Sequence, residues 1–312
     1  SFDIRMTPGL SVSHIIGPAS QSDSNTDAVD HCLMSGTQDD FTFSIFYDVK
    51  QLLVTDCVYF QFVVQFINAK NEKVFRIVTA RSFVTDSLGK LCSSLNDKVL
   101  SVLLAKRFVL AARKAAVIET SSVISRLDNL VGKLFELFKN EEVPGIDLSL
   151  RDVPRMMFLL RRGPLLGPIL QHSDDIDYCR CFFLQAPFKT CLRFIDPPLC
   201  RIQSGDVVPL PLEDLALQSN SVLLLDHHTE ILIWQGREVG EQEDRLLSVA
   251  NDLAIQRAEN RFPRPYIMQF KERSSMARWL LCRLVPSHKD SKEMQLQSFP
   301  ELSQLSETEY QA

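Results

Sequence analysis

The spacing of apolar residues changes twice along this chain, and each change separates two kinds of structure. In one segment Phe60, Phe62, Val64 and Phe66 alternate with Tyr59, Gln61 and Gln65, which is the period of a β-strand with one buried face. From Leu88 onward the apolar residues recur every three or four positions, as on one face of a helix. After Pro197 continuous apolar runs such as 222–225 return, which favours buried strands. The 312 residues therefore predict several domains rather than one core.

The fold class that follows is a multidomain protein with both α and β structure. We expect antiparallel β structure up to about residue 85, including a hairpin whose second strand spans Val74 to Thr79. The residues Thr85-Asp86-Ser87 are typical of a helix N-cap and open a predicted all-α middle region, whose first helix continues from Leu88 to Leu103. Beyond Pro197 the order strand, strand, helix, strand, helix predicts a small α/β sandwich. The polar residues 288–312 predict a loosely ordered tail.

Charge and leader pattern exclude several function classes. The net charge of −5 argues against a general nucleic-acid binder. No apolar run approaches the roughly 20 residues of a membrane span, so we expect no integral membrane segment. The chain begins at Ser1 without an initiating methionine or a basic and apolar leader, so we expect a fragment of a longer, non-secreted protein.

The cysteines and histidines offer weak metal sites. None of the eight cysteines forms a C-x-x-C pair, so we expect reduced thiols rather than a zinc site. Cys179 and Cys181 with His172 could hold a metal, but core-facing positions on a helix explain them better. His227 and His228 are adjacent in a predicted polar hairpin turn, where neighbouring side chains point apart.

A basic stretch lies near the end of the chain. Seven basic residues stand against Glu259 and Glu272 there: Arg257, Arg261, Arg264, Lys271, Arg273, Arg278 and Arg283. This surplus predicts either a solvated face or a surface for an acidic protein, a nucleotide phosphate or an anionic membrane.

Within that stretch, Arg278 stands at the start of an apolar helix, just after a proline-stiffened loop. A guanidinium is charged at any cellular pH and offers five donors, so it can act on a phosphate in trans. The plainer interpretation is a solvated charge or a surface ion pair. The sequence has no Gly-rich phosphate loop, G-x-S-x-G or H-E-x-x-H motif, so we expect no active site of its own.

Three segments together resemble one known family. They are Ile15-Ile16-Gly17-Pro18 with Tyr59-Phe60-Gln61-Phe62, then Arg155 to Arg162, then Arg261-Phe262-Pro263 through Met276-Ala277-Arg278-Trp279-Leu280-Leu281. In this order they are similar to segments in the C-terminal half of the GTPase-activating subunit of the COPII inner coat. The last segment is the most specific, because the spacing from Arg261 to Arg278 agrees with the family's without a gap.

The resemblance implies a domain organisation. It places an antiparallel β-sandwich portion at 1–85, an all-α helical domain at 86–195 and a gelsolin-like α/β sandwich domain at 199–287, with the tail at 288–312. The family's zinc finger lies in an N-terminal part that these segments do not match, so the resemblance implies no cofactor in this chain.

The resemblance also implies a function for one residue. The family's gelsolin-like domain inserts an arginine into the nucleotide site of the small coat GTPase, and Arg278 stands at the matching position. The implied partners are that GTPase, the paralogous cargo-binding coat subunit, the outer-coat subunit and an anionic membrane, with no nucleic acid. The implied location is cytoplasmic and peripheral, on endoplasmic reticulum exit-site membranes and COPII vesicles.

One departure from the family leaves alternatives open. Where the family has Gly-Gly-Ser-Gln, this chain has Arg273-Ser274-Ser275-Met276, without the two glycines that readily adopt positive φ. We expect this loop to decide whether Arg278 can reach a phosphate. The alternatives are a structural coat or adaptor relative that has lost GTPase activation, and a gelsolin or villin relative that binds actin and calcium.

Overall fold

A computed structural model describes most of the chain as two compact units. The described residues are 1–21, 30–34, 41–114, 120–139, 150, 152–167, 169, 172–203, 206–240 and 244–286. One unit contains residues 1–197 with the turn 226–229, and the other contains 198–225 and the described residues from 230 onward. The tail predicted at 288–312 lies outside the described residues. No helix in these ranges combines the length and apolarity needed to cross a membrane.

The first unit begins with two antiparallel sheets. The larger has the strand order β3-β4-β1-β6-β7, and β2 pairs with β5 in the smaller one. The strands are β1 (Phe2–Met6), β2 (Leu10–Ile16), β3 (Ser20–Gln21), β4 (His31–Leu33), β5 (Ser44–Val49), β6 (Cys57–Ile67) and β7 (Lys73–Phe83). The Phe2 ring stacks on Phe43 at a centroid distance of 4.7 Å in the core of this region. The predicted hairpin is confirmed as β6 and β7, although β7 is longer than the segment from Val74 to Thr79.

The elements described in the remainder of the first unit are helices. They are α1 (Leu88–Ser94), α2 (Asp97–Lys114), α3 (Thr120–Lys139), α4 (Asp152–Arg162), α5 (Ser173–Gln185) and α6 (Phe188–Ile195). The prediction of a single helix from Leu88 to Leu103 is wrong, because the helix is interrupted at Leu95 and Asn96. The Asn96 side chain accepts a hydrogen bond from the Val99 N–H at 3.0 Å and starts a new helix.

Two buried cations bind carbonyl groups within this helical region. Lys106, with no exposed surface, donates from Nζ to the Ala186 carbonyl at 3.0 Å. Arg180 donates to the Leu165 carbonyl at 2.9 Å and to the Ala112 carbonyl at 3.2 Å. Ala186 and Ala112 lie at helix C-terminal ends, where carbonyls have lost their helical partners and the helix dipole favours positive charge. Burial lowers the pKa of both Lys106 and Arg180.

The second unit has a five-stranded sheet in the order β12-β11-β10-β8-β9. Its elements are β8 (Leu199–Ile202), β9 (Val207–Leu210), β10 (Val222–Asp226), β11 (Glu230–Gln235), α7 (Asp244–Ala258) and β12 (Tyr266–Lys271). Ala250, Ala254 and Ala258 are fully buried, and their small side chains let α7 lie close to the sheet. The predicted β10, β11, α7 and β12 are confirmed, and the pair β8–β9 is an addition that the sequence pattern did not indicate. The parallel pairing of β11 with β12 places the end of β12 beside Gln235.

Candidate functional site

Arg278 is the first residue of a short helix, α8 (Arg278–Leu281), which follows a 3-10 turn at Ser275–Ala277. Its side chain is exposed and makes no hydrogen bond or ion pair with another residue that the structure describes. Ala277 and Leu280 on either side are 4% and 0% exposed. The helix is therefore held by its apolar face while the guanidinium remains available to a ligand.

The loop before this helix adopts one left-handed residue. Arg273 has φ 63°, and Ser274 has φ −69° with extended ψ. Of the two positions where the resembling family has glycine, only the first uses the conformation that favours glycine. Arg273 occupies it at a cost of about 1–2 kcal/mol for an L-residue. The loop thus adopts a positive φ at Arg273 without a glycine there.

Glu272 fixes the loop on its upstream side. Its carboxylate accepts hydrogen bonds from the Arg237 backbone N–H at 2.9 Å and from the Ser219 hydroxyl at 3.1 Å. Its own N–H donates to the Gln235 carbonyl at 2.8 Å, at the end of β11. The hydrogen bond from Arg237 is the main reason that the pKa of Glu272 is lowered. The carboxylate therefore stays ionised and holds the start of the loop against the edge of the sheet.

Arg283 fixes the helix on its downstream side. It is 7% exposed, and its guanidinium donates to the Glu230 carboxylate and to the Trp279 carbonyl. The same guanidinium lies 5.0 Å from the centre of the Trp279 ring, within cation–π range. Trp279 itself remains 37% exposed, so the ring lies between Arg283 and the surface. The assignment of Arg283 to an exposed basic face is wrong, because Glu230, outside the counted stretch, pairs with it in the interior.

The remaining basic stretch is smaller than the composition indicated. Its exposed cations are Arg264, Lys271, Arg273 and Arg278. Arg257 and Arg261 are half-buried and already have interactions. Arg278 is thus one of a few exposed cations and the one that begins a helix.

The other candidate ligands belong to the first unit. Cys179 is buried on α5, as expected for a core-facing cysteine. His227 and His228 form the predicted hairpin turn, but they are 4% and 5% exposed rather than solvated. Their rings lie 6.0 and 5.2 Å from the Phe194 ring. Within the described ranges, no three His, Cys, Asp or Glu side chains are grouped to hold a metal ion.

Sequence reasoning missed the residues that position Arg278. Glu272 and Arg283 were counted among the charges of the basic stretch, and Gly236 was not singled out. A Cβ on Gly236 would overlap the Ser219 carbonyl, so a glycine is required where this turn supports Glu272. The sequence did contain one signal for this turn, namely a glycine directly after the buried strand β11. A glycine in that position is typical of a site where another backbone segment lies in close contact.

Two segments of the chain match models of known protein families. Residues 1–85 match the Sec23/Sec24 beta-sandwich domain, and residues 205–279 match the gelsolin repeat. The chain is 32% identical over 315 aligned positions to Protein transport protein SEC23 A of Arabidopsis thaliana, covering 97% of this chain and 36% of that protein. The chain belongs to the Sec23/Sec24 family of COPII coat proteins.

A solved structure confirms the fold expected for this family. The human COPII-coat protein Sec24c aligns with a TM-score of 0.77 over 90% of this chain and 40% of that chain, at 12% identity. That identity supports the shared fold alone. The chain spans little more than a third of the length of the Sec23 relative. The domain boundaries at 85, 195 and 199 stay predictions.

Proposed function

We propose that this chain is part of a COPII inner-coat subunit that stimulates GTP hydrolysis by the small coat GTPase during transport from the endoplasmic reticulum to the Golgi. In this proposal Arg278 acts in trans, and the active site belongs to the GTPase. The observation that carries it is an exposed guanidinium on a helix fixed at both sides, by Glu272 and by Arg283. The match to a Sec23 relative favours the activating branch of the family.

The chemistry needs this combination of exposure and rigidity. Negative charge shifts onto the leaving oxygens as the γ-phosphate is transferred, and a guanidinium placed there stabilises the transition state. A donor that is already positioned loses little free energy to reorganisation when the reaction occurs. An arginine finger contributes on the order of 10³–10⁵ in rate, more than charge steering by an exposed cation supplies.

The other partners and the location are part of the same proposal. We place the chain on the cytoplasmic face of endoplasmic reticulum exit-site membranes and on COPII vesicles. There it would contact the paralogous cargo-binding subunit, the outer-coat subunit and an anionic membrane surface. Exposed cations such as Arg264 and Lys271 suit the last of these contacts.

The second candidate is a structural coat relative without GTPase activation. Two observations favour it: the shared fold with Sec24c and the absence of glycine over Arg273–Met276. The left-handed φ of Arg273 weakens the second, because the loop adopts the conformation without glycine. We do not propose actin binding, since the Sec23 match extends over 97% of the chain, including the helical region that a gelsolin repeat does not explain.

Single-turnover GTP hydrolysis by the coat GTPase separates the two candidates. This chain would replace the matching segment of the Arabidopsis relative, so that the remainder of a coat subunit is present. We expect the chimera to stimulate hydrolysis and Arg278→Ala to lower the rate by about 10³-fold or more. Arg278→Lys should remain strongly impaired, because an ammonium lacks the planar fork.

Arg264→Ala is the matched control, since it removes another exposed arginine of the same stretch and should leave the rate unchanged. A loss below tenfold for Arg278→Ala would contradict the finger assignment. A folded chimera that binds the GTPase without stimulating it would support the structural candidate.

A further inference from the structure

A cleft lies in the first unit between α2 and the pair β2–β5. Its volume is about 590 Å³, within the roughly 300–1,000 Å³ range of ligand sites. Residues of α2 form one wall: Leu103, Arg107, Leu110, Ala111 and Lys114. They recur at the spacing of one helical face, so the wall is a continuous stripe along α2.

The floor of the cleft is apolar and anchored. Ile16 and Ile45 line it from the sheet side, and Leu103 and Leu110 line it from the helix. Ile16 is 6% exposed and is part of the same core as the helices. The floor is therefore a fixed surface that can accept an apolar side chain.

A β-bulge shapes the opposite wall. In the ladder between β2 and β5, Val12 pairs with Tyr47 and His14 pairs with Phe46, so Ser13 has no partner residue on β5. Ser13 and His14 both line the cleft. Bulges of this kind redirect side chains and are common beside binding sites.

The charges of the cleft are unbalanced. Arg107 and Lys114 are exposed and make no ion pair with another described residue. Asp48 is the one acid among the described lining residues, and it already pairs with Lys50 at 2.9 Å. At a rise of about 1.5 Å per residue, Arg107 and Lys114 are ~10 Å apart along α2. The cleft thus presents two available cations above an apolar floor.

We propose that this cleft binds a short, extended, acidic segment of a partner protein. Three residues of extended chain span ~10 Å, so carboxylates about three residues apart can reach both Arg107 and Lys114. An apolar residue between them would lie on the floor beside Ile16 and Leu110. A recess of this volume suits a peptide better than the flat face of a membrane. The proposal uses no residue of the Arg278 loop and does not depend on GTPase activation.

The test uses the 312-residue chain and a library of fluorescent hexapeptides. The library has Asp or Glu at positions 1 and 4 with apolar residues between, and a second library has Asn or Gln at those positions. We expect saturable binding that favours the acidic peptides and weakens as salt rises. Arg107→Glu/Lys114→Glu should weaken it by about tenfold or more, because it removes both charge partners.

The matched control is Lys98→Glu/Arg113→Glu, which makes the same charge change at exposed positions of α2 outside the cleft. It should bind the acidic peptides as the unmodified chain does. Equal binding of the amide library, equal loss in the control, or no peptide binding would overturn the proposal. Binding to phosphatidylserine vesicles that is lost in Arg107→Glu/Lys114→Glu, without peptide binding, would assign the cleft to an anionic membrane and would also overturn it.

Discussion

The Glu272 carboxylate lies 2.9 Å from the backbone nitrogen of Arg237, and this hydrogen bond joins the loop before Arg278 to the turn after β11. Because the folded chain lowers the pKa of Glu272, the carboxylate stabilises the loop above the ordinary glutamate pKa. That stabilisation is lost as pH falls through the lowered value. We expect amide hydrogen exchange over residues 271–277, corrected for intrinsic rates, to increase at acidic pH.

Glu272→Ala should raise the exchange of the same amides already at neutral pH and remove its acid dependence. Glu259→Gln changes an exposed carboxylate outside the loop and should behave as the unmodified chain does. Unchanged exchange in Glu272→Ala would show that the loop is held without this carboxylate.

The left-handed residue of the loop gives a prediction about glycine. Arg273→Gly should leave the free energy of unfolding unchanged or raise it by up to about 1 kcal/mol, because glycine adopts φ near 63° without the side-chain cost. Ser274→Gly should lower it by about 0.5–1 kcal/mol, since φ −69° gains nothing from glycine. Denaturant unfolding of the two variants measures this difference, and equal effects would contradict the assignment of the left-handed position.

Gly236 gives a steric prediction. Gly236→Ala should lower the free energy of unfolding by about 1–3 kcal/mol, because its Cβ would overlap the Ser219 carbonyl and shift the turn that supports Glu272. Gly240→Ala is the matched control, since a Cβ there meets no atom within 4 Å. Thermal unfolding of both variants tests this, and a neutral Gly236→Ala would mean that the turn relaxes freely.

Lys106 gives a prediction on pH. Because burial lowers its pKa, the unfolded chain binds more protons than the folded chain between the lowered pKa and the ordinary one. The contribution of Lys106 to stability should therefore rise with pH over that window. Lys106→Met should lack this rise and be at least as stable at neutral pH, since Cys191 Sγ still donates to the Ala186 carbonyl at 3.4 Å.

Denaturant unfolding from neutral pH to about pH 10 measures the slope. Lys98→Met, at an exposed position of the same helix, should keep the slope of the unmodified chain. Equal slopes in Lys106→Met and the unmodified chain would refute the assignment.

Much of the secondary structure could be predicted from periodicity, because the spacing of apolar residues over a long segment distinguishes a helix from a strand. The alternation over β6 and the apolar run of β10 each indicated a strand that the structure contains. The helix break at Asn96 was missed, since the apolar spacing continues across it and only a side-chain cap interrupts the helix.

The site was less predictable, because its supports connect residues that are far apart in the sequence. Arg278 was singled out by its resemblance to a family motif and by its place before an apolar helix. From composition alone, Arg283 was taken as a surface cation. Its ion pair with Glu230 is a tertiary contact, which the local sequence does not indicate. Glu272 carried no signal of its own, since its partners Ser219 and Arg237 lie on other turns.

The strand β11 contacts both supports of Arg278, because Glu230 at its start binds Arg283 and Gln235 at its end binds the N–H of Glu272. Both contacts that fix the segment around Arg278 therefore end on one six-residue strand and not on residues 273–276 of the loop. A single-residue insertion or deletion within β11 would change the spacing between these two contacts, so the register of the strand constrains the position of Arg278 from a distance in the sequence.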